Sequence, residues 1–187
     1  MVARRRLDAE IVRRQLAASR TAAQLLINEN RVLVNGAVAA KASRQVATSD
    51  ALVVEGPPAR FVGRGAEKLD HALDVFGVDV AGLRLIDAGA STGGFTDCAL
   101  QRGAAEVVAV DVGHGQLHER LQADARVVNM ERQNVRAVTP RLIGGLVDGA
   151  VGDLSFISLR LVIAPLVSVC HPGSFMVLLV KPQFEAG

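Results

Sequence analysis

The stretch with the most chemical content is LIDAGASTGGFTDCAL, where an apolar run closes on Asp87-Ala-Gly89-Ala-Ser91-Thr-Gly93-Gly94 and leads into a helical pattern. Glycines at a strand-to-helix turn let the backbone approach a ligand closely, and the unpaired N–H groups at the helix start carry partial positive charge. Such a turn can cradle a ligand carboxylate, or it can serve only as a tight connection. The next apolar run separates these readings. EVVAVDVG ends on Asp111, about 20 residues past the loop, the spacing at which a carboxylate accepts both hydrogen bonds of a ribose diol. Loop and acid together predict a nucleoside site. GASTGG departs from the G-x-G-x-x-G arrangement that fits a pyrophosphate, which disfavours a nicotinamide cofactor against S-adenosylmethionine.

These residues need a frame, and the chain supplies one. Five apolar runs, LRLIDAG, EVVAVDVG, ARVVNM, LVDGAVGD and SFMVLLVK, alternate with helical stretches. They predict an α/β protein with a doubly wound, mainly parallel Rossmann-like sheet, which binds ligands at the C-terminal ends of its strands. A smaller α+β module precedes it. Leu7, Ile11, Val12 and Leu16 form an apolar helical stripe that leaves Arg13 and Arg14 outside. Ser19 is placed to cap a second helix with Ala22, Leu25 and Leu26 inward and Asn30 at its left-handed end. RVLVNG and ALVVEG read as strands, with Asn35-Gly36 as a two-residue hairpin turn. GPPAR then marks a boundary. The predicted organisation is residues 1–56, a linker at 57–63 and a second domain at 64–187.

The net charge of +2 conceals an asymmetry: residues 1–60 hold ten Lys/Arg against five Asp/Glu, and residues 61–187 hold eleven against fourteen. A polyanion such as RNA is the partner expected for the basic third. Half of the residues are hydrophobic, enough for packed cores and against disorder. Cys98 and Cys170 belong to no CxxC cluster and read as reduced thiols of a cytoplasmic protein. MVARRRLDAE is followed by no apolar leader stretch, and FMVLLV falls far short of the roughly 20 residues of a membrane span. His114 and His118 stand near Asp111 without a metal-ligand pattern, so no metal is expected.

The order of RLDAEIV, SRTAAQLLI, RVLVNG and KAS resembles the S-four-type RNA-binding domain. That resemblance makes Arg5, Arg6, Arg13, Arg14, Arg20 and Lys41 the candidate RNA contacts. RGAEKLDHAL, DAGASTGGFT, VDVGHGQL, GDLSFISL and LVKPQFE, following such a domain, resemble the TlyA family of ribosomal RNA 2′-O-methyltransferases, whose catalytic domain is of the FtsJ/RrmJ type. The resemblance implies S-adenosylmethionine as cofactor. It assigns Asp87, Gly89, Ser91, Gly93 and Gly94 to the pocket, Asp111 to the ribose, Asn134 to the adenine and Asp153 to the methionine end. It also implies cytidine in ribosomal RNA, within ribosomal subunits, as substrate.

The family's catalytic set is Lys-Asp-Lys-Glu, matched at Lys68, Asp153 and Lys181, with no counterpart for the glutamate; Glu185 has no precedent in that role. A ribose 2′-hydroxyl attacks a methyl group only as its proton is removed. Lys181 is the expected base, its basicity lowered by desolvation at a strand end and by neighbouring Lys68. Asp153 would orient it, and Lys68 would position the hydroxyl or a phosphate. Taken singly, each of the three also fits a surface lysine, a helix cap or a snorkelling strand end. By the same resemblance the sheet stops two strands short at KPQFEAG, so a C-terminally truncated chain with little methyl transfer is expected. Two other classes compete: a non-catalytic RNA-binding protein that keeps the fold, and a haemolysin, a label attached to this family.

Overall fold

The computed structural model describes residues 4–17, 19–56, 60–63 and 65–186. The chain divides into two compact units, Met1–Arg60 and Phe61–Gly187. Pro57, Pro58 and Ala59 of the expected linker, and Arg64 beyond it, lie outside the described residues.

In the first unit, β1 (Arg4–Arg6), α1 (Leu7–Arg13), α2 (Arg20–Asn28), β2 (Val32–Val34), β3 (Ala37–Val38), β4 (Gln45–Ala47) and β5 (Leu52–Val54) follow in order. β1 pairs with β4, and β3-β2-β5 form a second antiparallel sheet. Ser19 caps α2 by accepting from Ala22 N–H. Asn30 (φ 57°) follows the helix in the left-handed region, and Asn35 (φ 52°) and Gly36 (φ 80°) form the hairpin turn. The buried side of α2 is Ala23, Leu26 and Ile27 rather than Ala22, Leu25 and Leu26. The helix rotates its stripe by one residue to pack on Leu7 and Ile11 of α1. α1 itself ends at Arg13, so Leu16 packs on this core from the following turn.

The second unit carries α3 (Gly65–Phe76), β6 (Arg84–Ala88), α4 (Gly94–Gln101), β7 (Glu106–Val110), α5 (Glu119–Gln122), β8 (Val127–Met130), α6 (Pro140–Ile143), β9 (Val147–Gly152), α7 (Ile163–Val169), β10 (Cys170–Leu178) and α8 (Pro182–Glu185). All five strands are parallel, in the order β10-β9-β6-β7-β8. The doubly wound sheet is therefore present, and β10 starts four residues before the run SFMVLLVK and ends at Leu178. Alternation along the strands feeds two cores. Leu85, Val107 and Val151 face Leu69 and Leu73 of α3 and Cys98 and Ala99 of α4. Ile86, Val108 and Ala150 face Ile143 of α6 and Leu166 of α7. Burial on both faces explains why these strands read as continuous apolar runs. After β8 the chain crosses to the other side of β6, so β6 and β9 become neighbours and their C-terminal ends form the switch point where such sheets bind ligands.

Candidate active site

A cavity of about 610 Å³ opens at that switch point. Its walls include Gly89, Ala90, Ser91, Thr92, Gly94 and Phe95 from the β6–α4 turn, Gly63, Gly65 and Lys68 at the start of α3, Asp153 and Ser155 after β9, and Lys181 after β10. Of the residues expected at the site, Lys68, Gly89, Ser91, Gly94, Asp153 and Lys181 come together on these walls. Asp87, Gly93, Asp111 and Asn134 do not line the cavity.

The glycine turn is shaped by close approach. Gly93 caps α4 at φ 95°, and a Cβ there would collide with the tip of Leu121. At Gly94 a Cβ would meet Ala66 N at 3.0 Å, so the start of α3 can lie directly on the start of α4. The arrangement brings Lys68 to the cavity. Arg102, which closes α4, locks α3 in place through Asp70 (2.6 Å) and Asp74 (2.7 Å).

Asp111 follows β7 and accepts from Ser91 N–H (2.8 Å) on one oxygen and Gly113 N–H (2.7 Å) on the other. Its carboxylate is thereby fixed beside the glycine turn with lone pairs left on both oxygens. The side chain of Asn134 is used locally: its carbonyl oxygen caps the short turn Val135–Ala137 by accepting from Arg136 N–H (2.9 Å).

Asp87 is fully buried beneath the turn, with one oxygen accepting from Thr96 Oγ1 (2.6 Å) and the other without a partner among the described residues. Burial pushes its pKa up to about 7, against the opposing hydrogen bonds from Thr96 and with help from the charges of Asp111 and Asp153. An acid with a raised folded-state value loses folding stability as pH rises. Below the ordinary value of 3.8 both states hold the proton; above it only the folded state does, and the loss is complete above about 7. Asp87→Asn, whose amide oxygen still accepts from Thr96, is expected to recover roughly 2–3 kcal/mol at pH 8 relative to pH 5. Urea unfolding of both proteins at the two pH values measures this, and an unaltered pH dependence would clear Asp87 of the effect.

Lys68 Nζ contacts Asp153 Oδ2 at 2.8 Å and Lys181 Nζ contacts Asp153 Oδ1 at 2.5 Å. Lys181 also donates to Ser155 Oγ (2.7 Å). The sequence predicts that Lys68 presses on Lys181 as a like charge; instead Asp153 stands between them and pairs with both. Burial would raise the Asp153 pKa, but the hydrogen bonds and charges of Lys181 and Lys68 outweigh it and hold it below the usual carboxylate range.

Several contributors are not evident in the sequence. Buried Asp97 accepts from Val62 N–H (2.8 Å) and holds Arg120 at 2.8 Å through both oxygens, anchoring the segment that puts Gly63 on the wall. Its only sequence signal is an acid in an otherwise apolar helix. In the first unit, Asp8 and Glu10 are completely buried. Asp8 binds Arg6 and Arg20 (3.0 Å each), and Glu10 binds Arg13 (2.6 Å) and Arg14 (2.9 Å). Four of the six proposed RNA contacts are thus paired within the fold. Arg5 and Lys41 are exposed and form no ion pair among the described residues. His114 pairs with Glu131 (2.7 Å), and His118 caps α5. No group of metal-ligating residues occurs among the described residues.

A parallel methyltransferase sheet with its ligand cavity at the switch point, carried on one chain with a small basic α+β unit, defines the class. Residues 61–187 match the FtsJ-like methyltransferase family, and residues 5–52 match the S4 domain. The chain is 52% identical over 188 residues to the 16S/23S rRNA (cytidine-2′-O)-methyltransferase TlyA of Mycobacterium tuberculosis, covering all of this chain and 70% of that protein. It is 39% identical to Hemolysin A of Brachyspira hyodysenteriae over 97% of this chain and 75% of that one. A solved structure from Streptococcus thermophilus with a provisional hemolysin name is 40% identical, with a TM-score of 0.73 over 100% of this chain and 69% of that chain. The chain belongs to the TlyA family of FtsJ-like methyltransferases.

Proposed function

We propose that this protein methylates a ribose 2′-hydroxyl of cytidine in ribosomal RNA within ribosomal subunits, in the cytoplasm, using S-adenosylmethionine. RNA docks through an S4 domain at residues 1–56, joined by residues 57–63 to the catalytic domain at 64–187. The observation that carries this reading is the Lys68–Asp153–Lys181 bridge on the wall of a cavity at the switch point.

The residues present fit the cofactor. Asp87, Asp111 and Asp153 end three neighbouring strands, one of them with an unpartnered buried oxygen, a setting that suits a ligand bearing a sulfonium and an ammonium. The glycine turn admits its backbone-held portion, with Gly89, Ser91, Gly93 and Gly94 shaping the wall, Asp111 holding the ribose and Asn134 approaching the adenine through its free amide. S-adenosylmethionine would supply the electrophilic methyl group. Lys181 would take the proton from the 2′-hydroxyl; Lys68 would position that hydroxyl or its phosphate; Asp153 keeps both lysines on the cavity wall.

Calorimetric titration with S-adenosylmethionine followed by tritium transfer to ribosomal subunits tests the proposal. Cofactor binding without transfer to any RNA would favour the non-catalytic reading. Asp111→Ala is expected to weaken cofactor binding by about 2 kcal/mol, because charge-assisted hydrogen bonds to the diol are lost; unchanged affinity would remove the ribose assignment. The hemolysin names among the relatives receive no support from the fold, since no described helix is long and apolar enough to cross a membrane. Release of haemoglobin by the pure protein, without RNA or cofactor, would revive that reading.

A further inference from the structure

A lysine side chain is long and loses much rotamer freedom when held in one place, so something beyond Asp153 must keep Lys181 on its wall. The segment that carries it cannot do so alone. α8 begins directly after Lys181 with Pro182 and has only four residues, too few for a helix to persist without outside contacts. The side-chain contacts of Phe184 and Glu185 reach the stretch after β9. Glu185 accepts from Leu159 N–H on one oxygen and from Ser158 Oγ on the other, each at 2.7 Å. The ring of Phe184 meets that of Phe156 with centroids 5.3 Å apart. Lys181 itself reaches Asp153 and Ser155.

The two segments are therefore laced in step. Lys181 meets residues 153 and 155, Phe184 meets 156, and Glu185 meets 158 and 159. The residue at the middle of the lacing, Phe156, has φ 63° and is 92% exposed. That is a costly backbone conformation for a bulky side chain, and it persists only where neighbouring contacts fix it. It lies between Ser155, which faces Lys181, and Ser158, which faces Glu185. Glu185 does not line the cavity, so any part it plays in the reaction is indirect.

We propose that Glu185 is a positioning residue for Lys181: by clamping α8 onto the Ser158–Leu159 backbone it fixes the Lys181 amine against Asp153 and Ser155. The importance of that amine rests on the function proposed above; the clamp itself does not. The carboxylate, held below its ordinary pKa range by the Leu159 amide and the Ser158 hydroxyl, has each oxygen engaged in the clamp and lies off the cavity wall.

Competitive acetylation of the intact chain with limiting acetic anhydride, read lysine by lysine by mass spectrometry, tests the clamp without requiring cofactor or RNA. Lys68, half exposed and bound to the same carboxylate, is the internal reference, and Lys41 reports on the other unit. Glu185→Ala is expected to raise Lys181 labelling about fivefold relative to Lys68, the scale of losing charge-assisted hydrogen bonds. Glu185→Gln should restore most of the protection, since its amide can accept from Leu159 N–H and donate to Ser158 Oγ. An unchanged Lys181 to Lys68 ratio in Glu185→Ala overturns the proposal, as does a parallel rise of both lysines, which would mean general loosening. If Glu185→Ala melts below the assay temperature, Ser158→Ala removes one of the two contacts and must still raise the ratio. Calorimetry with S-adenosylmethionine on the same proteins is read separately, so a failed clamp and a failed cofactor assignment give different results.

Discussion

In a full-length homologous enzyme, the equivalent of Lys181→Ala is expected to reduce methyl transfer by about 10²- to 10⁴-fold, the usual contribution of a positioned general base, while S-adenosylmethionine affinity stays within about twofold. The split follows from geometry. Lys181 reaches the cavity beside Ser155 and Asp153, whereas the contacts proposed for the cofactor, Asp111 and the glycine turn, stand at the ends of β7 and β6. Truncation of the side chain also leaves the site intact, because Asp153 keeps Lys68 at 2.8 Å and is not stranded as an uncompensated carboxylate. Single-turnover transfer to ribosomal RNA and calorimetric cofactor binding on the same preparation measure the two quantities. Transfer near the parent rate would show that the amine is a structural ion-pair partner. A collapse of cofactor binding would place it in the cofactor site instead.

The second large effect concerns RNA. The basic residues of the first unit are not equivalent, since Arg6, Arg13, Arg14 and Arg20 neutralise Asp8 and Glu10, while Arg5 and Lys41 are exposed without an ion pair among the described residues. A double variant, Arg5→Ala with Lys41→Ala, is expected to weaken RNA binding by roughly ten- to a hundredfold near 0.1 M salt. It should also lower the salt-dependence slope by about two, one for each phosphate that no longer has a cation beside it. Arg14→Ala should behave differently. Its guanidinium donates to the carbonyls of Asp50 (2.8 Å), Thr48 (2.9 Å) and Ala47 (3.3 Å) as well as to Glu10, so its removal should appear first as lower stability of the unit. Filter binding across a salt series, with thermal melting alongside, distinguishes the two. A double variant with the parent slope would move the docking surface elsewhere.

Much of this is legible in the sequence. Ser19, Asn30 and Asn35-Gly36 act where they stand, through hydrogen bonds and backbone preferences confined to a few neighbours. The central strands β6, β7 and β9 are readable because burial on both faces leaves an unbroken apolar run, while the edge strands β8 and β10 are apolar but only partly covered. The rotation of α2 onto Ala23, Leu26 and Ile27 is not readable. An amphipathic stripe with apolar residues on either side can turn by one position at little cost, and only the partner helix decides.

The site divides along the same line. The glycine turn and Asp111 are visible in the sequence because their spacing follows from one strand-turn-helix and the next strand, a local unit whose geometry repeats. Pairing of Asp153 with both Lys68 and Lys181 depends on β9 and β10 lying on the far side of β6 and on α3 resting against α4 through Gly94. Lys68 and Asp153 are 85 positions apart, and no periodicity reports contacts at that range. Burial of Asp8, Glu10 and Asp97 is likewise decided by the tertiary structure. A buried acid stays ionised only where arginines and backbone amides converge on it, and that convergence exists only once the chain has folded.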